Sequence, residues 1–253
     1  MSDAAFWGCL LLAGGPPVVL YCCVIARQSF LVLLSLASAF FWLVAFLLIS
    51  AAWRGFLPLT SAGELVLVVL LSVSLQEAAR YALWKLHRRT CAALEFIAHK
   101  KTDTELTEQN KQAMALTHGF AHGVVQSVLF SISWLPLSLG GATYYVPACS
   151  SMSYFLASAL LSLGFFYLHT ASMMLSFMGF EAGDWLLIAV PPALHVAATL
   201  LTVANLVKQG CNAVVPTVFA IGLGASAWAG RLWWKSSASG YTPLQDTQLH
   251  AEP

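Results

Sequence analysis

The chain has 253 residues, 59% of them hydrophobic and 9% charged, with mean hydropathy +0.76 and a formal net charge of +1. A water-soluble domain carries about 25% charged residues, so this composition excludes one and indicates a polytopic membrane protein. The near-zero charge and the absence of any Lys/Arg cluster interleaved with aromatics exclude nucleic-acid binding as well.

A spanning helix needs about 20 apolar residues, each advancing about 1.5 Å. Seven stretches qualify, at 4–26, 30–53, 65–86, 114–137, 153–178, 185–207 and 213–234. The sequence therefore predicts an all-α transmembrane domain of seven helices over 1–235. The first stretch lacks the basic start and small-residue cleavage site of a signal peptide, so it is expected to be retained. Within it, Gly14-Gly15-Pro16-Pro17 interrupts the apolar run, and the expected consequence is a kink. Cytosolic loops gather Lys and Arg. One set of connections carries nine, from Arg27 through Lys85, Arg88 and Lys111 to Lys235, against Arg54 and Lys208 on the other. That bias predicts an N-terminus outside or in the lumen and a cytosolic C-terminus.

The third span contains Gln76, Glu77 and Arg80. A charge near mid-membrane costs about 2.5–3.5 kcal/mol on insertion scales, so such groups face a bundle interior or a polar cavity. Glu77 and Arg80, three residues apart, can neutralise each other. After this span, 87–112 reads as a cytosolic loop, partly disordered, with Cys91 beside the basic run His87-Arg88-Arg89 as a lipidation candidate. The fourth span carries His118 and His122, one turn apart on one face, but Gly119 stands where a zinc-protease motif needs glutamate. Gly119, Gly123 and Ser127 form a stripe of small residues that lets helices approach closely. His169 and His195 lie in the fifth and sixth spans, and prolines at 191, 192 and 216 read as kinks. The tail 236–253 is polar and expected to be flexible.

Of the six cysteines none forms a metal-binding spacing, and no metal or cofactor is expected. Cys149 and Cys211 fall in connections assigned to the same non-cytosolic side, which leaves their pairing open. No aspartate lies in any predicted span, which excludes an intramembrane aspartyl dyad within this chain.

These residues carry a resemblance. Phe6-Trp7-Gly8-Cys9 with Gly15-Pro16, Ala39-Phe40-Phe41-Trp42, Leu75-Gln76-Glu77 with Arg80, the Gly119/Gly123 stripe, Tyr154-Phe155-Leu156, Leu168-His169-Thr170 and His195 are similar to the anterior-pharynx-defective family, the seven-span subunit of the gamma-secretase complex. The likeness covers about residues 5–235. It implies a non-catalytic scaffold that assembles with nicastrin, presenilin and the presenilin enhancer subunit for cleavage of type I membrane proteins. The implied location is the endoplasmic reticulum, Golgi, endosomal and plasma membranes. It further implies that His169 and His195 support assembly and presenilin contact and that the stripe packs helices. Ser127 departs from the glycine usual at the third stripe position. A fainter similarity to membrane-embedded prenyl-protein proteases leaves an alternative, a metal-assisted hydrolase built from Glu77, His169 and His195, although Gln76 stands where a paired glutamate is needed. A seven-helix receptor shares the orientation but its signature motifs are missing.

Overall fold

The computed structural model describes residues 3–55, 62–102, 107–139 and 144–239. Among these there are no strands and seven α-helices: α1 (Asp3–Leu20), α2 (Ser29–Gly55), α3 (Ala62–Thr102), α4 (Glu108–Ile132), α5 (Tyr154–Ala182), α6 (Trp185–Leu201) and α7 (Cys211–Ser239). Six of them, all but α4, contain a stretch long and apolar enough to cross a membrane. The chain is thus an all-α, multi-pass integral membrane protein.

Helix starts follow local chemistry. Thr107 caps α4 by accepting a hydrogen bond from the Asn110 amide, and Ser153 caps α5 through Leu156. Between α5 and α6 the turn is short because Gly183 adopts the left-handed conformation (φ 65°) that glycine enters without strain, and Asp184 then caps α6 through the Leu186 amide.

Helix α5 is the axis of the bundle, packed by α4 and α7 most extensively and by α6 and α1 as well. Its window of greatest apolarity is 78% buried, against 22% for α1 and for α2. Helix α4 is too polar for its composition alone to mark a span, yet every residue from Met114 to Gly123 is buried. It lies between α2 and α5, where both of its histidines, His118 and His122, are buried against protein.

Three expectations change. The connection 87–112 is mostly helical: α3 runs on to Thr102, about 60 Å in all, and α4 begins at Glu108. Helix continues because a buried stripe of Leu83, Trp84, His87 and Cys91 persists beneath the basic residues. Lys111 then ties α4 to α3, with its Nζ 2.9 Å from Glu95 and 3.1 Å from Glu108. Burial works against the Lys111 charge, but those two carboxylates prevail and hold its ammonium above the ordinary lysine range. Residues 103–106 lie outside the described residues. The tail begins later than expected, since α7 reaches Ser239, and 240–253 also lie outside the described residues. Cys91 is buried rather than displayed for lipidation, with its Sγ 3.5 Å from His87 Nε2. The prolines at 16, 17, 191, 192 and 216 all sit within continuous helices, although α1 passes into a π-helical turn, Tyr21–Ile25, after its pair.

Candidate functional site

The charged pair of α3 points inward. Arg80, 1% exposed, donates through Nη1 to Glu77 Oε2, while Glu77 Oε1 lies 2.8 Å from Nδ1 of His195 on α6. A carboxylate accepts, so this bond fixes the proton of His195 on Nδ1. Both glutamate oxygens are therefore committed, one within its own helix and one across the α3–α6 boundary.

From His195 a column of rings crosses the bundle. His169 on α5 meets His195 edge to face, with centroids 4.8 Å apart, and His122 on α4 lies 4.1 Å from His169. Trp42 on α2 stacks on His122 at 3.5 Å with the planes 4° apart. Four helices are thus joined by flat, rigid groups whose offset or perpendicular stacking contributes about 0.5–1.5 kcal/mol per pair. One turn earlier on α4, His118 Nδ1 is 2.5 Å from Ser38 Oγ of α2, and its ring packs edge to face against His87 of α3 at 5.2 Å. Both nitrogens of His122 lack hydrogen-bond partners, as do Nε and Nη2 of Arg80. Among the described residues no three His, Cys, Asp or Glu side chains are placed to hold a metal ion. The arrangement of Glu77, His169 and His195 is one of bonding and stacking between helices, and the hydrolase alternative finds no ligand set in it.

The stripe on α4 faces α5 along its whole length. A Cβ on Gly119 would sit 2.5 Å from the Thr170 carbonyl oxygen, and one on Gly123 would sit 2.8 Å from that of Phe166. Ser127 is buried and its hydroxyl donates to the Ser162 carbonyl at 3.2 Å, so serine at the third position adds a bond to the seam. A second seam, not singled out in the sequence, joins α5 to α7, where a Cβ on Gly222 would meet the Gly164 carbonyl at 2.3 Å. The spacing of Gly222 and Ser226 on α7, the serine donating to the Tyr167 carbonyl at 3.3 Å, is the signal that could have found it.

Beside the charged cluster opens a cavity of about 440 Å³, lined in part by Gln76, Gln126, His169, His195, Thr199 and Asn205. Three polar atoms among its lining residues, Gln76 Oε1, His169 Nδ1 and Asn205 Oδ1, are buried without partners within the chain. At one end the wall includes Cys149 and Cys211, which are joined by a disulfide with their Cα atoms 5.0 Å apart. The bond ties the turn after α4 to the start of α7, and beside it Gln209 donates from its amide to the Pro147 carbonyl at 3.0 Å and Ser151 bonds Asn212.

All the residues expected at the site are thereby placed: Gln76, Glu77, Arg80, His169 and His195 in one inner cluster, and Gly119, Gly123 and Ser127 on the adjoining α4–α5 seam. Sequence reasoning missed Trp42 as a stacking partner, His87 as a buried group and the α3–α5 tie in which Trp84 Nε1 donates to Glu181 at 2.7 Å. The recurrence of Leu83, His87 and Cys91 every four residues could have revealed the buried side of α3.

Comparison with known proteins agrees with this picture. The Aph-1 protein family model matches residues 4–236. A gamma-secretase subunit APH1-like protein of Arabidopsis thaliana is 35% identical over 93% of this chain and 95% of its own length. A gamma-secretase subunit Aph-1b of Danio rerio is 30% identical over 90% and 88%, and a gamma-secretase subunit Aph-1 of Drosophila melanogaster is 30% identical over 81% and 83%. With a family match across nearly its whole length and relatives that align end to end, the chain belongs to the Aph-1 family.

Proposed function

We propose that this chain is a non-catalytic scaffold subunit of a gamma-secretase-type intramembrane protease complex. The observation that carries the reading is the end-to-end match to proteins named gamma-secretase subunits. The inner polar groups support a holding role, because Glu77 has both oxygens engaged by Arg80 and His195. The partners are presenilin, nicastrin and the presenilin enhancer subunit, and the cavity beside His169 and His195 receives a segment of one of them. All seven helices cross the bilayer, α4 shielded between α2 and α5, with the N-terminus outside or lumenal and the C-terminus cytosolic. Two independent features support that orientation: the positive-inside bias and the Cys149–Cys211 disulfide, which needs an oxidising compartment at that face. The complex resides in endoplasmic reticulum, Golgi, endosomal and plasma membranes.

Affinity purification of the tagged chain in mild detergent, followed by identification of co-purifying chains, tests the proposal. Recovery of a presenilin-like aspartyl protease is expected. Recovery of the chain alone from intact membranes, or peptide cleavage by the isolated chain, would end it.

A further inference from the structure

At its Cys149–Cys211 end, the cavity beside His195 is walled by connections as well as by packed helices. Val146, Ala148 and Cys149 come from the connection between α4 and α5, while Thr202 and Asn205 come from the one between α6 and α7, which leads into Cys211. Each connection carries a 3-10 turn, Pro147–Cys149 in the first and Thr202–Leu206 in the second. The second closes on itself. The Val207 amide donates to the Ala204 carbonyl at 3.0 Å and the Gly210 amide to that of Val207 at 3.1 Å, and a Cβ on Gly210 would overlap the Ala204 carbonyl. It therefore moves as a unit. Within it Gln209 holds φ 62°, the left-handed conformation in which a side chain crowds the backbone, and among the described residues no other non-glycine residue does so. Three ties set this strained unit against the first connection: the disulfide, the Gln209–Pro147 backbone bond and the exposed Ser151–Asn212 bond.

We infer that these two connections form a redox latch, and that the chain accepts a partner segment into the cavity only after Cys149 and Cys211 have been oxidised. The inference rests on the reading above, in which the cavity receives such a segment and this face is lumenal. Making the bond takes two electrons and two protons from the two thiols, and a disulfide-bearing oxidant accepts them by thiol–disulfide exchange and leaves as a dithiol. Both cysteines are buried in the finished fold, so the bond is made while the connections are still apart and is not toggled afterwards. Once made, it keeps the second connection from swinging away and holds the strain at Gln209 in place. A wall fixed beforehand spares an entering segment the cost of ordering it. The fixed wall also presents Asn205 Oδ1, buried and without a partner in the chain, to an N–H donor of that segment.

The test compares three tagged forms of the full chain, expressed in cells and purified in mild detergent: wild type, Cys149→Ala with Cys211→Ala, and that pair with Gln209→Gly added. The quantity read is the presenilin-like chain recovered per folded chain. It should fall at least fivefold in the alanine pair. Gln209→Gly should return at least half of the loss, because glycine holds the left-handed conformation without strain and keeps the connection in place. Undiminished recovery in the alanine pair, or no return with glycine, would overturn the inference. If the wild type recovers no presenilin-like chain, the proposed function fails, and amide hydrogen exchange on the isolated chain decides the latch. There residues 202–212 should exchange at least tenfold faster in the alanine pair than in the wild type, over minutes in which the α5 amides stay unexchanged in both. Equal rates at 202–212, or a matching rise along α5, would show a bond that serves stability alone and would also overturn it.

Discussion

Helices α2 and α5 show how differently two apolar spans are used. Helix α2 is the more apolar, yet most of its surface, including Leu33, Phe40 and Leu47, is exposed. Helix α5 carries Ser158, Ser162, His169, Thr170, Ser172 and Ser176, all buried. In lipid the outside is the apolar solvent, so the helix with more hydroxyls and imidazoles goes to the centre, where neighbours satisfy them. Hydropathy in such a chain reports contact with lipid, and burial must be read from small and polar residues.

The sharpest way to break this contrast is to enlarge small residues on each side of it. Gly123→Leu drives a side chain into the Phe166 backbone and should reduce recovery of folded chain and of its complexes in mild detergent more than tenfold. Gly8→Leu, where nothing lies within 4 Å, should leave recovery unchanged. Equal outcomes would mean that the α4–α5 seam is no tighter than the outer shell.

Next in size is the charged pair. Glu77→Leu leaves Arg80 buried and unpaired and should cost about 3–5 kcal/mol, while Glu77→Leu combined with Arg80→Leu should recover most of the loss in Tm measured in detergent. Removing the Cys149–Cys211 bond, which closes a separation of 62 residues, should cost about 2–4 kcal/mol. Alkylation followed by mass measurement should count four reactive thiols in the denatured native chain and six after reduction. The smallest effects separate the two ends of the ring column. His195→Phe strands a Glu77 oxygen and should cost about 1.5–3 kcal/mol, whereas His122→Phe keeps the stack on Trp42 and removes two unpartnered nitrogens, changing stability by less than about 1 kcal/mol.

The inner cluster was legible because charge in an apolar run is expensive and must turn inward. That argument picks out Glu77 and Arg80 without any structure, and the family resemblance added His169 and His195. It does not reach His87, which looks like part of a basic cytosolic run until the helix is seen to continue beneath it. Nor does it reach Trp42, one aromatic among fifteen phenylalanines and nine tryptophans.

By itself the sequence determined the class of the protein and the position of its apolar helices. These depend on summed transfer energies along the chain, and a one-dimensional sum suffices for them. The tertiary structure decided which side of each helix is buried, that Cys149 meets Cys211, that Glu77 reaches His195 and that α5 is the axis. Helices that are apolar all round carry no stripe to announce a partner, so those choices rest on three-dimensional packing of small residues and on pairing of polar groups across helices.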